Sequence, residues 1–128
     1  PIFIQRALAG QPLLIHGDGG QTRDFVYVKD IVAANVFAAT TTGLTGVFNA
    51  GYGGQITIRE LAERIISLAG SSSEIHHAGE RAGDARHSRA SGDKLKAAGF
   101  KPTGSLEAGL AATLEYFRHQ AASTPVQS

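Results

Sequence analysis

Between Asp30 and Thr40 the chain carries a single polar side chain, Asn35. Asp30 offers an N-cap, and Ile31-Val32-Ala33-Ala34-Asn35-Val36-Phe37-Ala38-Ala39 behind it predicts a helix. A helix that is apolar almost all round is expected to be buried on more than one side, so it needs other layers packed against it. Short strand-like runs supply candidates. Leu13-Leu14-Ile15-His16 is one, and Arg23-Asp24-Phe25-Val26-Tyr27-Val28, rich in aromatic and β-branched residues, is a second. Val47-Phe48-Asn49-Ala50 is a third, and Ile75-His76-His77 a fourth inside the otherwise polar, irregular stretch from Ser71 to Ser91.

Helical signals alternate with these strands. Ile2 to Ala9 is apolar and ends at Gly10 and Pro12. Thr57 and Glu60 form a Thr-x-x-Glu capping box ahead of Ile58, Leu61, Ala62, Ile65 and Ala69 on one helix face. Ser91 caps a short helix through Ala98, and Ser105 caps a last one with Leu106, Leu110, Leu114 and Phe117 on one side. Strands alternating with helices give an α/β or α+β class. A structured unit is expected over residues 1–119, with a disordered tail over 120–128.

Composition narrows the function classes. The chain has 128 residues, 42% hydrophobic and 18% charged, which is ordinary for a folded domain. Twelve Lys and Arg against eleven Asp and Glu leave a net charge of +1, which disfavours a broad basic face for nucleic acid. With no cysteine there is no disulfide, thiolate metal site or cysteine nucleophile, and a cytoplasmic location fits. No apolar run approaches the length of a membrane span. The chain also lacks methionine and opens on Pro1-Ile2-Phe3-Ile4, as if in the middle of an element, so it reads as part of a longer protein.

Most of the usual chemical signatures fail. From Gly17 and Gly19 the third position of Gly-x-Gly-x-x-Gly is Thr22, and from Gly51 and Gly53 it is Ile56, so neither cluster is a dinucleotide fingerprint. His76 and His77 are adjacent and point to opposite faces of a strand, and no carboxylate pattern completes a metal set. No serine stands in a Gly-x-Ser-x-Gly elbow. What remains is charge. Residues 76–101 hold six Lys and Arg against three acids, a local excess that suits an anionic ligand. Arg23 opens an apolar, aromatic run, and Arg81 stands in Arg81-Ala82-Gly83-Asp84. Guanidinium forks match phosphate oxygens, and a nearby carboxylate accepts from sugar hydroxyls. Either arginine alone would be an ordinary surface ion pair, Arg23 with Asp24 or Asp30.

Three blocks in order turn these residues into a resemblance. Gly17-Asp18-Gly19-Gly20-Gln21-Thr22-Arg23-Asp24-Phe25-Val26-Tyr27-Val28-Lys29-Asp30 resembles the signature of extended short-chain dehydrogenases acting on nucleotide sugars. Val47-Phe48-Asn49-Ala50-Gly51 with Thr57-Ile58-Arg59-Glu60-Leu61 resembles their next block, and Arg81-x-Gly83-Asp84-x-Arg86-His87-Ser88 the third. Over residues 1–119 the chain is similar to the C-terminal, substrate-binding part of the NAD-dependent epimerase/dehydratase family, nearest to its UDP-glucose and UDP-N-acetylglucosamine 4-epimerases.

The resemblance implies that Arg23 and Arg81 grip a diphosphate and that Asp84 accepts from the ribose. It implies that the backbone of Leu14 and His16 meets the uracil edge, with Phe25 near the nucleotide and Ser88 against the sugar. His16 stands where the family usually has Tyr or Phe. NAD and a UDP-sugar are the implied ligands, and a Rossmann half and a homodimer the implied partners. The family's Tyr-x-x-x-Lys is absent, since Ile31, Ile56 and Gln120 stand four residues after Tyr27, Tyr52 and Tyr116. A dehydratase or decarboxylase, a free-standing binding module and a remnant without function are the alternatives. This chain by itself is therefore expected to show no epimerase or dehydratase turnover. A coupled assay with UDP-galactose and NAD, on a preparation free of host epimerase, should stay at background.

Overall fold

A four-residue parallel strand pair orders the chain over long range. In the computed structural model, which describes residues 1–123, strand β1 (Leu13–His16) pairs in parallel with β4 (Ile75–Ala78), Leu13 opposite Ile75 and His16 opposite Ala78. A second, mixed sheet has the order β3-β2-β5, built from β2 (Thr22–Arg23), β3 (Ile56–Thr57) and β5 (His87–Ser88). Thr22 and Arg23 are its centre, antiparallel to β3 and parallel to β5. Helix α1 (Ile2–Leu8) precedes β1, α2 (Val28–Thr40) follows β2, and α3 (Ile58–Ala69) follows β3. Helices α4 (Asp93–Ala97) and α5 (Leu106–Ser123) close the chain. The expected α/β class is what the chain adopts.

The main core lies where α1, α3 and α5 cover β1. Leu13 and Ile15 are fully buried there, with Ile4, Ala7, Leu61, Ala62, Ile65 and Leu114 packed around them. Alternation on β1 places Leu13 and Ile15 inward and leaves Leu14 exposed. Helix α3 starts and stops where its sequence says. Thr57 Oγ1 accepts from Glu60 N at 3.1 Å, and Glu60 accepts from Thr57 N at 2.9 Å. The Thr57 amide first, and the Thr57 hydroxyl donating at 2.9 Å second, hold the Glu60 carboxyl below its ordinary range. Gly70, at φ 63°, ends the helix in the left-handed conformation that costs glycine least.

Several expectations are corrected. The aromatic run after Arg23 is not a strand: pairing ends at Arg23, and Phe25 instead packs on the main core. Nor is Val47–Ala50 a strand, because no partner lies beside it among the described residues, and Val47 is 84% exposed. Part of the stretch expected to be irregular, His87–Ser88, forms β5. Gly92 rather than Ser91 precedes α4, although Ser91 Oγ still accepts from Asp93 N at 3.3 Å. The last helix runs to Ser123, so residues 120–123 are helical rather than tail; Gln120 donates to the Tyr116 hydroxyl at 2.7 Å, one turn back. The remainder of the expected tail, 124–128, lies outside the described residues.

Helix α2 departs most. It begins at Val28, so Asp30 sits inside its first turn and is no N-cap. The Asp30 carboxylate is buried and turned to another segment. It accepts from Thr103 N at 2.9 Å, from Gly104 N at 3.1 Å and from the Tyr52 hydroxyl. The Tyr52 bond, more than any other contact, holds Asp30 below its ordinary 3.8, while burial and then Asp30 push the Tyr52 phenol up. Asp30 thus ties α2 to the chain ahead of α5. The helix is also less buried than its sequence demands. Only Asp30 and Ala34 are buried, Ala34 with Leu95 and Phe100 in a second small core. Val28, Val32 and Val36, four residues apart, form an open stripe at 64%, 57% and 57% exposure.

Two outcomes follow from this helix. Asp30→Ala strips the Tyr52, Thr103 and Gly104 donors of their shared acceptor and should cost about 2–3 kcal/mol in urea unfolding. Because the folded carboxyl titrates below the unfolded one, that contribution is present above pH 3.8 and disappears as pH falls through the folded value. The stripe should make the isolated chain bind hydrophobic dye and self-associate in light scattering. Val32→Lys with Val36→Glu should abolish both signals.

Candidate functional site

Two cavities differ sharply in chemistry. The larger, about 580 Å³, is a groove between α1, the 25–28 segment, α3 and α5, and no charged side chain lines it. It offers nothing to hold a phosphate. The smaller, about 210 Å³, is polar. His16, Gly17, Asp18 and Gln21, from β1 and the turn after it, form one wall; Glu80, Arg81, Asp84 and Arg86, from the segment between β4 and β5, form the other.

The two sheets bring these walls together. β1 and β4 run side by side, so the chain leaving each strand emerges at the same end. Thr22 N donates to Arg86 O at 2.9 Å, which draws the second segment onto β2. Three of the expected residues, His16, Arg81 and Asp84, line this cavity. Arg23 joins them by an ion pair, its Nη2 on Asp84 Oδ1. Its expected partners Asp24 and Asp30 are engaged elsewhere: Asp24 accepts from Gly53 N at 3.0 Å, and Asp30 serves the Thr103–Gly104 turn. Arg81 has no side-chain hydrogen bond or ion pair among the described residues, which leaves its guanidinium available to an incoming anion.

Leu14 and His16 bear on the cavity differently from their neighbours. Leu13 N donates to Glu74 O and Gly17 N to Ala78 O, so the odd-numbered backbone groups face β4. The backbone of Leu14 and His16 faces the other edge of a two-stranded sheet, where no strand pairs with it among the described residues. On that edge Gln21 Nε2 donates to His16 O at 2.8 Å. The His16 ring turns to Gly79 O, with Nδ1 donating at 3.2 Å. Ser88 is not in the cavity wall, but it sits opposite Arg23 in the β2–β5 register. Phe25 does not reach the cavity; it lines the apolar groove instead.

Sequence reasoning missed Asp18, Gln21, Glu80 and Arg86. Arg86 and Asp18 form a two-pronged pair, Nη1 to Oδ1 at 2.7 Å and Nη2 to Oδ2 at 2.9 Å. Gly20 N adds a third donor to Asp18 Oδ1 at 2.8 Å. Arg86 first and the Gly20 amide second hold the Asp18 carboxyl down at about 2, and Asp18 pushes the Arg86 guanidinium up in turn. The available signal was the unusual Asp18-Gly19-Gly20 turn, where a glycine with no need of positive φ still stands at position 20.

These contacts also decide whether the glycine clusters could cradle a dinucleotide. A Cβ on Gly20 would lie 2.7 Å from Arg86 Nη2, and one on Gly51 would lie 2.7 Å from both Ala90 O and Asp24 Oδ2. Both close approaches are taken up by the protein itself. Neither glycine cluster therefore forms a cradle for NAD. No three potential metal ligands come together among the described residues, and no described helix is long and apolar enough to cross a membrane.

Residues 1–51 match the NAD dependent epimerase/dehydratase family. A UDP-glucose 4-epimerase of Mycolicibacterium smegmatis is 38% identical over 93% of this chain and 38% of its own length. A UDP-glucuronic acid decarboxylase 1 of Danio rerio is 37% identical over 92% of this chain and 28% of its own. Among solved structures, the UDP-glucose 4-epimerase of Thermotoga maritima, crystallised with UDP-glucose, superposes with a TM-score of 0.88 at 40% identity, over 94% of this chain and 39% of that one. The chain thus spans about two fifths or less of the proteins it resembles. Along nearly all of its length the chain is similar, in sequence and in the disposition of its elements, to one part of the enzymes of the NAD dependent epimerase/dehydratase family.

Proposed function

We propose that this chain is the nucleotide-sugar-binding part of an NAD-dependent UDP-sugar 4-epimerase, with Arg23 and Arg81 on the diphosphate and Asp84 on the ribose. The observation that carries the reading is the meeting of Arg23, Arg81 and Asp84, from segments about sixty residues apart, at one polar cavity beside an unpaired strand edge. A free edge alternates donors and acceptors, as the hydrogen-bonding rim of a uracil does, so the backbone of Leu14 and His16 suits the base. The diphosphate then reaches Arg23 and Arg81. Its attached sugar extends toward Ser88, the residue opposite Arg23.

In this reading the chain anchors and orients, and the residues that move protons and the NAD-binding loop belong to the remainder of the enzyme. Holding the nucleotide fixes the sugar carbon in space, which turns a collision into an alignment. The whole enzyme is read as a cytoplasmic homodimer. A decarboxylase would use the same anchor, and the similarity to the zebrafish enzyme supports that second reading.

Arg23→Ala and Arg81→Ala should each weaken UDP binding by the enzyme that contains this chain. A charge-assisted contact is worth about 1.5–3 kcal/mol, or roughly tenfold to a hundredfold in affinity. Calorimetry with folded variants is the measurement, and unchanged affinity returns both arginines to surface ion pairing. Ser88 sets a second expectation. A small residue there leaves room for a 2-acetamido group, and its hydroxyl is a hydrogen-bond partner for it. Ser88→Tyr should lower kcat/KM for UDP-N-acetylglucosamine relative to UDP-glucose, since a clash at one substituent is enough to reject it. An unchanged ratio removes Ser88 from the sugar pocket.

A further inference from the structure

The segment that carries Arg81 and Asp84 has little of its own to hold it in place. Residues 80–89 are all exposed, and the segment contains no helix and only the two residues of β5. Inside it, one turn bond joins Asp84 N to Arg81 O at 3.1 Å. Its side-chain ties to the rest of the molecule are few. Arg23 pairs with Asp84, the His87 ring meets Thr22 Oγ1 at 2.9 Å, and Arg86 pairs with Asp18. The first of these is the one a ligand must disturb. If Arg23 turns to a diphosphate, Asp84 loses its partner as it is asked to receive a ribose.

Resting on the reading of this cavity as a nucleotide site, we propose that Arg86 is a positioning residue: through Asp18 it latches the 79–86 segment to the turn after β1, holding Arg81 and Asp84 in place while Arg23 leaves Asp84 for the ligand. The latch has three independent marks. It is two-pronged, and a planar fork against a carboxylate fixes orientation as well as distance. Both ends of the arginine are fixed, since Arg86 O accepts from Thr22 N while its guanidinium lies on Asp18. The turn also makes room for it: a Cβ at position 20 would lie 2.7 Å from Arg86 Nη2 and oblige the guanidinium to shift. The Asp18 carboxyl, already holding the Gly20 amide, stays charged down to a pH of about 2, so the latch is closed across the working range.

The test has two readouts on three variants, Arg86→Gln, Arg86→Lys and Gly20→Ala. Gly20→Ala keeps both charges and only displaces the guanidinium, so it guards against a loss that comes from charge alone. Hydrogen exchange on the 128-residue chain without ligand reads the latch directly at the Gly20, Thr22 and Asp84 amides. Exchange there should quicken roughly tenfold in Arg86→Gln and Gly20→Ala, and less in Arg86→Lys, which keeps the charge but not the fork. UDP affinity, measured by calorimetry on the enzyme containing this chain, should fall about three- to tenfold in the same order, equally for UDP and UDP-glucose. Unchanged exchange in both Arg86→Gln and Gly20→Ala overturns the latch. So does quickened exchange with UDP affinity untouched. If exchange quickens but the wild-type enzyme binds no UDP while Arg81→Ala changes nothing, the latch stands and the nucleotide reading falls.

Discussion

The parallel pairing of β1 with β4 is the constraint on which the rest of this structure depends. It joins residues 13–16 to residues 75–78, so nearly half of the chain is looped out between two adjacent strands. Parallel strands need such a crossover, and here it carries β2, α2, β3 and α3. Leu13 and Ile15 on β1 are the two fully buried large side chains, and α1, α3 and α5 close over them. Because the strands are parallel, the chain leaves both at the same end. The turn at Gly17 and the segment at Gly79 therefore face each other by geometry before any side chain contributes. The polar cavity is the space left between those two exits.

A second constraint refines the first. The mixed sheet is only two residues deep, yet it stitches Arg23 between Ile56 and Ser88. That register brings one arginine within reach of a carboxylate sixty-one residues away. Short strands suffice because their ends are already positioned by β1 and β4, and loop-closure entropy rises only slowly with length once part of the loop is fixed.

Much of this was legible in the residues, and the exceptions share a cause. Local rules succeeded where local chemistry decides. The Thr57–Glu60 box and the strand over Leu13–His16 stand where the sequence put them. Rules failed where a distant partner decides. Asp30 looks like a cap, but the amides of Thr103 and Gly104 claim its carboxylate. Phe25 to Tyr27 has strand composition, yet nothing among the described residues pairs with it, so its aromatic side chain went to the core. The valine stripe on α2 reads as buried and stands open, since a sequence reports the apolar surface a helix has and not what lies against it. In the cavity, Arg23, Arg81 and Asp84 could be named because their residue types match phosphate and sugar. Asp18 and Arg86 could not, because their role lies in each other and the sequence places them sixty-eight residues apart.

Gly20 carries this dependence into the turn itself. Most glycines in turns answer to their own backbone, and any neighbour can change around them. Gly20 answers instead to Arg86, whose guanidinium fills the place of its missing side chain. The two positions are therefore bound as a pair. A side chain at 20 obliges the Arg86 guanidinium to shift, and loss of the arginine frees that space.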